Sequence, residues 1–319
     1  MSNSRRDFLK QTLAGAAALG VSVSLPEPLL ATGRPRAGKK GIKAKRILML
    51  GLDGICVEGF KQARTPNLDA LLAKGALSLD TRVVMPSVTL PNWTSILCGS
   101  GPEVHGVVNN SWKIDKHVLP SVKADAEGYY PSVFQILKEN VPGVKNAFYW
   151  NWYPLANPYN WKHFDDMHFE EGDAYAENYG RALKFMTDNR NVPTVTFLYS
   201  VHTDHAGHRY AWMSPEYLAS IEEGDRAIGE LLAKMKEAGI YDDTHFFFLT
   251  DHGGINKGHG GVTTHEMLVP WGVSGPGIRK GLVMSEPNNH LNTASVILRL
   301  FGLEQPDCWV GEVPESIFA

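Results

Sequence analysis

The chain has 319 residues, 43% hydrophobic and 20% charged, with a formal net charge of −3. That is the composition of a soluble globular protein long enough to bury a large core as one domain, and it argues against a partner in duplex nucleic acid. The three cysteines, Cys56, Cys98 and Cys308, have no CxxC or other zinc-finger spacing, so they exclude a thiolate metal module.

Ser4-Arg5-Arg6-Asp7-Phe8-Leu9-Lys10 precedes an apolar run from Leu13 to Leu25, with the small residue Ala31 beyond it. A charged start, a short apolar segment and a small residue describe an export signal over residues 1–31. The run is shorter than the ~20 residues a membrane span needs, so no stable span is expected once the signal is removed. The stretch SRRDFLK is similar to the twin-arginine signal, which implies the Tat export machinery as a partner and a periplasmic or extracellular location. Residues 32–45 are rich in Gly, Lys and Arg without apolar periodicity and read as a basic linker.

Arg46–Leu52 is an apolar run ending in Asp53-Gly54, a buried strand with a carboxylate at its C-terminal end. Helical patterns follow at Thr65–Lys74, Pro131–Glu139 and Asp173–Asp188. Val195–Ser200 is a second strand, leading to His202 and Asp204, and Ser214–Ala238 a further helix. His245–Thr250 is a third strand, ending in Asp251-His252-Gly253; Val269–Val273 is a fourth, and Asn292–Phe301 the last helix. Strands alternating with helices predict an α/β fold with a mainly parallel central sheet and helices on both faces. In such sheets ligands bind at the C-terminal ends of the strands, where three of these runs place Asp or His.

Asp204 and His208 are four residues apart and share one face of a helical turn. Asp251-His252 follows a fully apolar strand, where burial is costly without a partner cation. Carboxylate oxygen and imidazole nitrogen are a donor set that zinc accepts. His259 stands among glycines in Gly258-His-Gly-Gly261, and His265 is its rival as a further donor. Taken singly, each Asp/His pair reads as a cap or an ion pair; three strand ends carrying Asp or His together point to metal.

Met85-Pro-Ser-Val-Thr-Leu-Pro-Asn92 leads into a helix, because Pro91 suits a first turn. Thr89 then lies at a helix N-terminus, which attracts phosphate, and a metal-activated hydroxyl there is a candidate nucleophile. Ser87 is the other hydroxyl in reach, and a plain N-cap is the bland reading of Thr89.

The ordered set Leu50-Gly-Leu-Asp-Gly54, Thr65-Pro-Asn-Leu-Asp69, Pro86-Ser-Val-Thr-Leu-Pro-Asn92, His105 to Asn110, Thr203-Asp-His-Ala-Gly-His208 and Thr250-Asp-His-Gly253 resembles the alkaline phosphatase superfamily, within it the type I phosphodiesterase/nucleotide pyrophosphatase branch. The resemblance implies a catalytic domain over residues 46–319 and two zinc ions, or other divalent metals. One ion is expected on Asp204, His208 and a third His, the other on Asp53, Asp251, His252 and the Thr89 oxygen. It implies a phosphothreonine intermediate on Thr89, with Asn110 hydrogen-bonded to a phosphoryl oxygen. In nucleotide pyrophosphatases the third His lies near the C-terminus. No His follows Phe301-Gly-Leu303 here, so His259 is expected to take that role.

The expected reaction is cleavage of a phosphodiester or pyrophosphate bond in a small, nucleotide-like substrate. A phosphomonoesterase or phosphonate hydrolase on the same site is the alternative, and a metal-dead binding protein the non-enzyme one. Lys113, Lys116 and Lys257 are candidate cations, and Trp93, Trp112, Tyr149 and Trp152 candidate wall residues; the inserted region, roughly Ser111 to Trp161, is modest. A sulfatase is set aside, because Thr89-Leu-Pro-Asn-Trp93 lacks the Cys or Ser nucleophile and its motif.

Overall fold

Apolar runs buried on both sides form the middle of a sheet. A computed structural model describes residues 44–319; the export signal over residues 1–31 and nearly all of the linker lie outside the described residues. Ala44 and Lys45, read as the linker's end, are tied to the fold: Ala44 N donates to Leu300 O (2.9 Å) and Thr194 N donates to Lys45 O (3.0 Å). The strands are β1 (Arg46–Leu52), β2 (Gly75–Arg82), β3 (Lys145–Trp150), β4 (Asp166–Phe169), β5 (Thr194–Ser200), β6 (Thr244–Leu249), β7 (Leu268–Ser274) and β8 (Leu282–Val283). They form one sheet in the order β4-β3-β5-β1-β6-β7-β2-β8. All neighbours are parallel except the β6–β7 and β7–β2 pairs. The mainly parallel sheet expected from the sequence is therefore present. β2, β3, β4 and β8 escaped the sequence reading, which found the uniformly apolar central runs more readily than the mixed runs of β2 and β4.

The period-two alternation of each strand divides the interior into two cores. Ile47 and Met49 of β1, Phe197 of β5 and Phe247 of β6 face one; Leu48, Leu50, Leu198, Phe246 and Phe248 face the other. The first core is covered by α3 (Thr89–Cys98), α5 (Val133–Asn140) and α10 (Asn292–Phe301). The second is covered by α1 (Val57–Gln62), α2 (Pro66–Leu72), α6 (Ala176–Asp188) and α8 (Pro215–Glu237). The remaining helices are short or lie at the sheet's edge: α4 (Pro102–His105), α7 (His202–Tyr210) and α9 (Thr264–Met267).

The predicted helices hold, most of them starting later than predicted, and in two the capping residue stands just outside. Ser132 and Ser214 accept from Gln135 N and Tyr217 N and so begin α5 and α8. α2 has no such cap of its own at Thr65. Its first-turn amides are satisfied from α8 instead: buried Asp225 accepts from Asn67 N (3.3 Å), Asn67 Nδ2 (2.8 Å) and Leu68 N (2.8 Å). Asp225→Ala leaves those donors unpaired and should cost about 1–3 kcal/mol of stability, read as a lowered urea midpoint with unchanged m-value; an unaltered midpoint refutes the cap.

Candidate metal centre

The sheet order sets the site. β5, β1 and β6 are adjacent and parallel, so their C-terminal ends open on one edge, and the segments that follow them carry Asp204, Asp53 and Asp251-His252. Gly54 turns the chain after Asp53 at φ +73, and a β-carbon there would meet Asp204 at 3.1 Å.

Asp53 Oδ2 accepts from Tyr199 Oη (2.5 Å) and Trp93 Nε1 (3.3 Å), and Asp251 Oδ1 accepts from Gly54 N (3.1 Å). Their other oxygens, Asp53 Oδ1 and Asp251 Oδ2, are buried without a hydrogen-bond partner, as is Asp204 Oδ1. His252 Nε2 lies 3.5 Å from Asp53 Oδ1, 3.3 Å from Asp251 Oδ2 and 3.3 Å from Thr89 Oγ1. Asp204 is approached by His208 Nε2 (3.4 Å, to Oδ2) and His259 Nε2 (3.7 Å, to Oδ1). The rings of His252 and His259 stack at 3.8 Å, which brings His252 within reach of both groups. Donor atoms of Asp53, Asp251 and His252 lie within 4.8 Å of one another, as do those of Asp204, His252 and His259.

All three imidazoles are oriented alike. Nδ1 of His252 donates to Gly253 O (2.8 Å), that of His208 to Lys257 O (2.9 Å) and that of His259 to Ser87 O (3.0 Å). A carbonyl only accepts, so each Nδ1 carries the proton and each Nε2 presents its lone pair inward.

Burial pushes the carboxyl pKa values up, Asp204 to about 7, and burial with the repulsion of neighbouring carboxylates raises Asp53 to about 8 and Asp251 well above its usual range. Burial lowers His252 and His259. Among the described residues, histidines are the ion-pair partners of these carboxylates. Three buried acids with unpartnered oxygens, neutral imidazole nitrogens facing them and no Lys or Arg ion pair form a donor set that suits divalent cations.

Val88 caps α3, and Thr89 is its first residue, so the hydroxyl is free of the N-cap role. Ser87 is spoken for: its Oγ donates to Gly261 O (2.7 Å). Asn110 Oδ1 accepts from Leu90 N (2.8 Å), which leaves its amide N–H groups for a ligand. His265 faces exposed Glu58 (3.4 Å), away from Asp204, and the structure brings His259 there instead. Of the candidate wall residues, Trp93 and Tyr149 are fully buried and form no wall; Trp93 instead holds Asp53. Trp152 packs against the core. Lys257 Nζ donates to Arg209 O (2.8 Å). Tyr199 was missed because a tyrosine within an apolar run reads as core; the signal was its hydroxyl, which needs a partner when buried.

The profile of the family described as type I phosphodiesterase/nucleotide pyrophosphatase matches residues 47–268. Mouse bis(5'-adenosyl)-triphosphatase enpp4 is 27% identical over 218 residues, 66% of this chain and 47% of its own. An uncharacterized pyrophosphatase/phosphodiesterase of Schizosaccharomyces pombe is 26% identical over 216 residues, 65% and 44% of the two chains. This chain thus spans about half the length of these curated relatives. Murine ectonucleotide pyrophosphatase/phosphodiesterase 5, solved as an inactive variant in complex with AMP, superposes with a TM-score of 0.71. It is 14% identical, and the alignment covers 86% of this chain and 100% of that one.

The raised carboxyl pKa values set a pH dependence. Metal-free folded protein holds protons on Asp53 and Asp204 that the unfolded chain releases near pH 4, so its stability falls as pH rises toward about 8. The lowered histidines oppose this only below about 6.5. Between pH 6.5 and 8 the Tm of chelator-treated protein should therefore fall, and added Zn2+, which needs ionised carboxylates, should raise Tm more at pH 8 than at pH 6.5. A flat or rising metal-free Tm across that window contradicts the assignment.

Proposed function

The chain belongs to the type I phosphodiesterase/nucleotide pyrophosphatase family, and from that premise we propose that it is an exported two-zinc hydrolase of phosphodiester or pyrophosphate bonds with Thr89 as nucleophile. The observation that carries the reading is Thr89 Oγ1 standing 3.3 Å from His252 Nε2, beside three buried carboxylates with unpartnered oxygens. Asp53, Asp251, His252 and Thr89 would hold one ion, and Asp204, His208 and His259 the other. When bound, the ions supply positive charge that lowers the pKa of the hydroxyl and offsets charge developing on phosphoryl and leaving oxygens.

In this reading Thr89 Oγ1 forms a bond to phosphorus as the bond from phosphorus to the leaving oxygen breaks, giving a phosphothreonine that water then hydrolyses. Asn110 donates its amide N–H to a non-bridging oxygen, where negative charge grows. Tyr199 and Trp93 fix Asp53 through one oxygen and so direct the other inward.

A cavity of about 400 Å3 adjoins Asn110 and is lined by Trp112, Lys113, Tyr129, Tyr153 and Trp161, all within the inserted region. Larger cavities of about 550 and 600 Å3 lie at the opposite edge of the sheet, against Ala44 and Thr244, remote from the carboxylates. Aromatic walls suit a flat leaving group, which supports a nucleotide-like diester over a small monoester. The names of the relatives agree, since they include bis(5'-adenosyl)-triphosphatases. Export by the twin-arginine route rests on Arg5-Arg6 and the run after it. Among the described residues no helix is long and apolar enough to cross a membrane.

The zinc-loaded protein should hydrolyse bis-p-nitrophenyl phosphate faster than the monoester or a phosphonate, and EDTA should abolish the activity. Thr89→Ala should lower kcat by about 10³-fold or more while the protein still binds a nucleoside monophosphate. Turnover retained in the variant removes Thr89 from the mechanism, and faster monoester hydrolysis favours the phosphomonoesterase. N-terminal sequencing of protein recovered from the periplasm or medium should begin near Thr32; recovery only from the cytoplasm contradicts export.

A further inference from the structure

Resting on that reading, we infer that Trp212 is a positioning residue that sets His208 and His259 and so governs chiefly the metal position built on them. Trp212 follows α7 and is buried. Its ring meets His208 edge-on at 5.2 Å and 86°, and His259 at 5.9 Å and 64°. Its Nε1 donates to Gly54 O (2.8 Å), next to Asp53, and its backbone N donates to Asn256 O (2.7 Å) in the loop that leads to His259. One side chain thus ties together the segments following β1, β5 and β6.

The surroundings are shaped to admit it. A β-carbon at Gly207 would come within 2.7 Å of the indole, and one at Gly254 within 2.2 Å. The residues on either side, Ala211 (φ 87) and Met213 (φ 69), both occupy positive φ, which side-chain-bearing residues rarely adopt. Such a backbone persists only when its surroundings over-determine it, and strained positions of this kind cluster at functional sites. Among the described residues the aromatic neighbours of Trp212 are His208, His259 and Tyr217. Its ring is not among the contacts of His252, and Asp53 and Asp251 take their hydrogen bonds from Tyr199, Trp93 and Gly54. Trp212 reaches the Asp53 and Asp251 group only through the Gly54 carbonyl, whereas its ring packs directly on two histidines of the Asp204 group, so the larger dependence falls on the Asp204 position.

The test compares zinc binding by wild type, Trp212→Phe and Trp212→Ala, using competition with a chromophoric chelator and elemental analysis after dialysis. Wild type should bind two zinc per chain. Trp212→Phe should hold one ion with at most a small loss of affinity and bind the second at least about tenfold more weakly, as for other residues that orient metal-binding histidines. Its kcat should follow zinc occupancy and recover in excess zinc, which a merely structural defect does not do. If Trp212→Ala fails to fold, Trp212→Phe, checked by circular dichroism, carries the test. A folded Trp212→Phe that holds both ions at wild-type affinity, or loses both in parallel, overturns the inference alone. Wild type that binds no zinc overturns the two-zinc reading beneath it.

Discussion

Three carboxylates meet out of water at one edge of the sheet, each with an oxygen that no protein group satisfies. Burying such charge is expensive, and like charges brought together raise the expense. Proteins resolve the conflict by protonation, by a basic partner or by a cation. Protonation is what the raised values for Asp53 and Asp204 describe for the protein alone. The ion-pair partners here are neutral imidazoles, whose lone pairs point the same way as the acids. In the proposed reading a pair of divalent ions would satisfy both sets of donors together, so that the proposed chemistry and the burial of these acids would share one cause.

The sheet supplies the rigidity this conflict requires. β1 has parallel neighbours on both sides, and Ile47, Leu48, Met49 and Leu50 within it fill both cores. Asp53 and Asp251 therefore closely follow two of the most deeply buried strands, and Asp204 stands in the first turn of α7 just after a third. Backbone carbonyls then orient the imidazoles, and two of the three carbonyls belong to loops that meet across the site: Ser87 beside the nucleophile and Lys257 beside His259. The Ser87 hydroxyl bonds to Gly261 in return. The loop that presents Thr89 and the loop that presents His259 are thereby locked to each other.

The exposed side of the site is different in character. His208 has a side chain 43% exposed, whereas Asp53, Asp251 and His252 are fully enclosed. The Asp204 side is therefore the more open to solvent, and the cavity beside Asn110 is lined by aromatic residues. This asymmetry fits a site in which the enclosed donors activate the nucleophile and the open ones attend the leaving oxygen and the incoming water.

The central strands, the helices over Pro131–Glu139 and Ser214–Ala238, and the Asp and His residues after β1, β5 and β6 were readable in the sequence, because apolar periodicity and strand-end polarity are local properties. So was Thr89 at a helix start, from Pro91. His259 was preferred over His265 for the glycines around it and by the resemblance, but its orientation was not legible there; the Ser87 carbonyl, 172 positions away, accepts from its ring and turns it toward Asp204. Tyr199 and Trp93 as props of Asp53, and Trp212 between two histidines, were equally hidden. Their chemistry depends on which distant groups share a buried space, and only the order of strands in the sheet determines that.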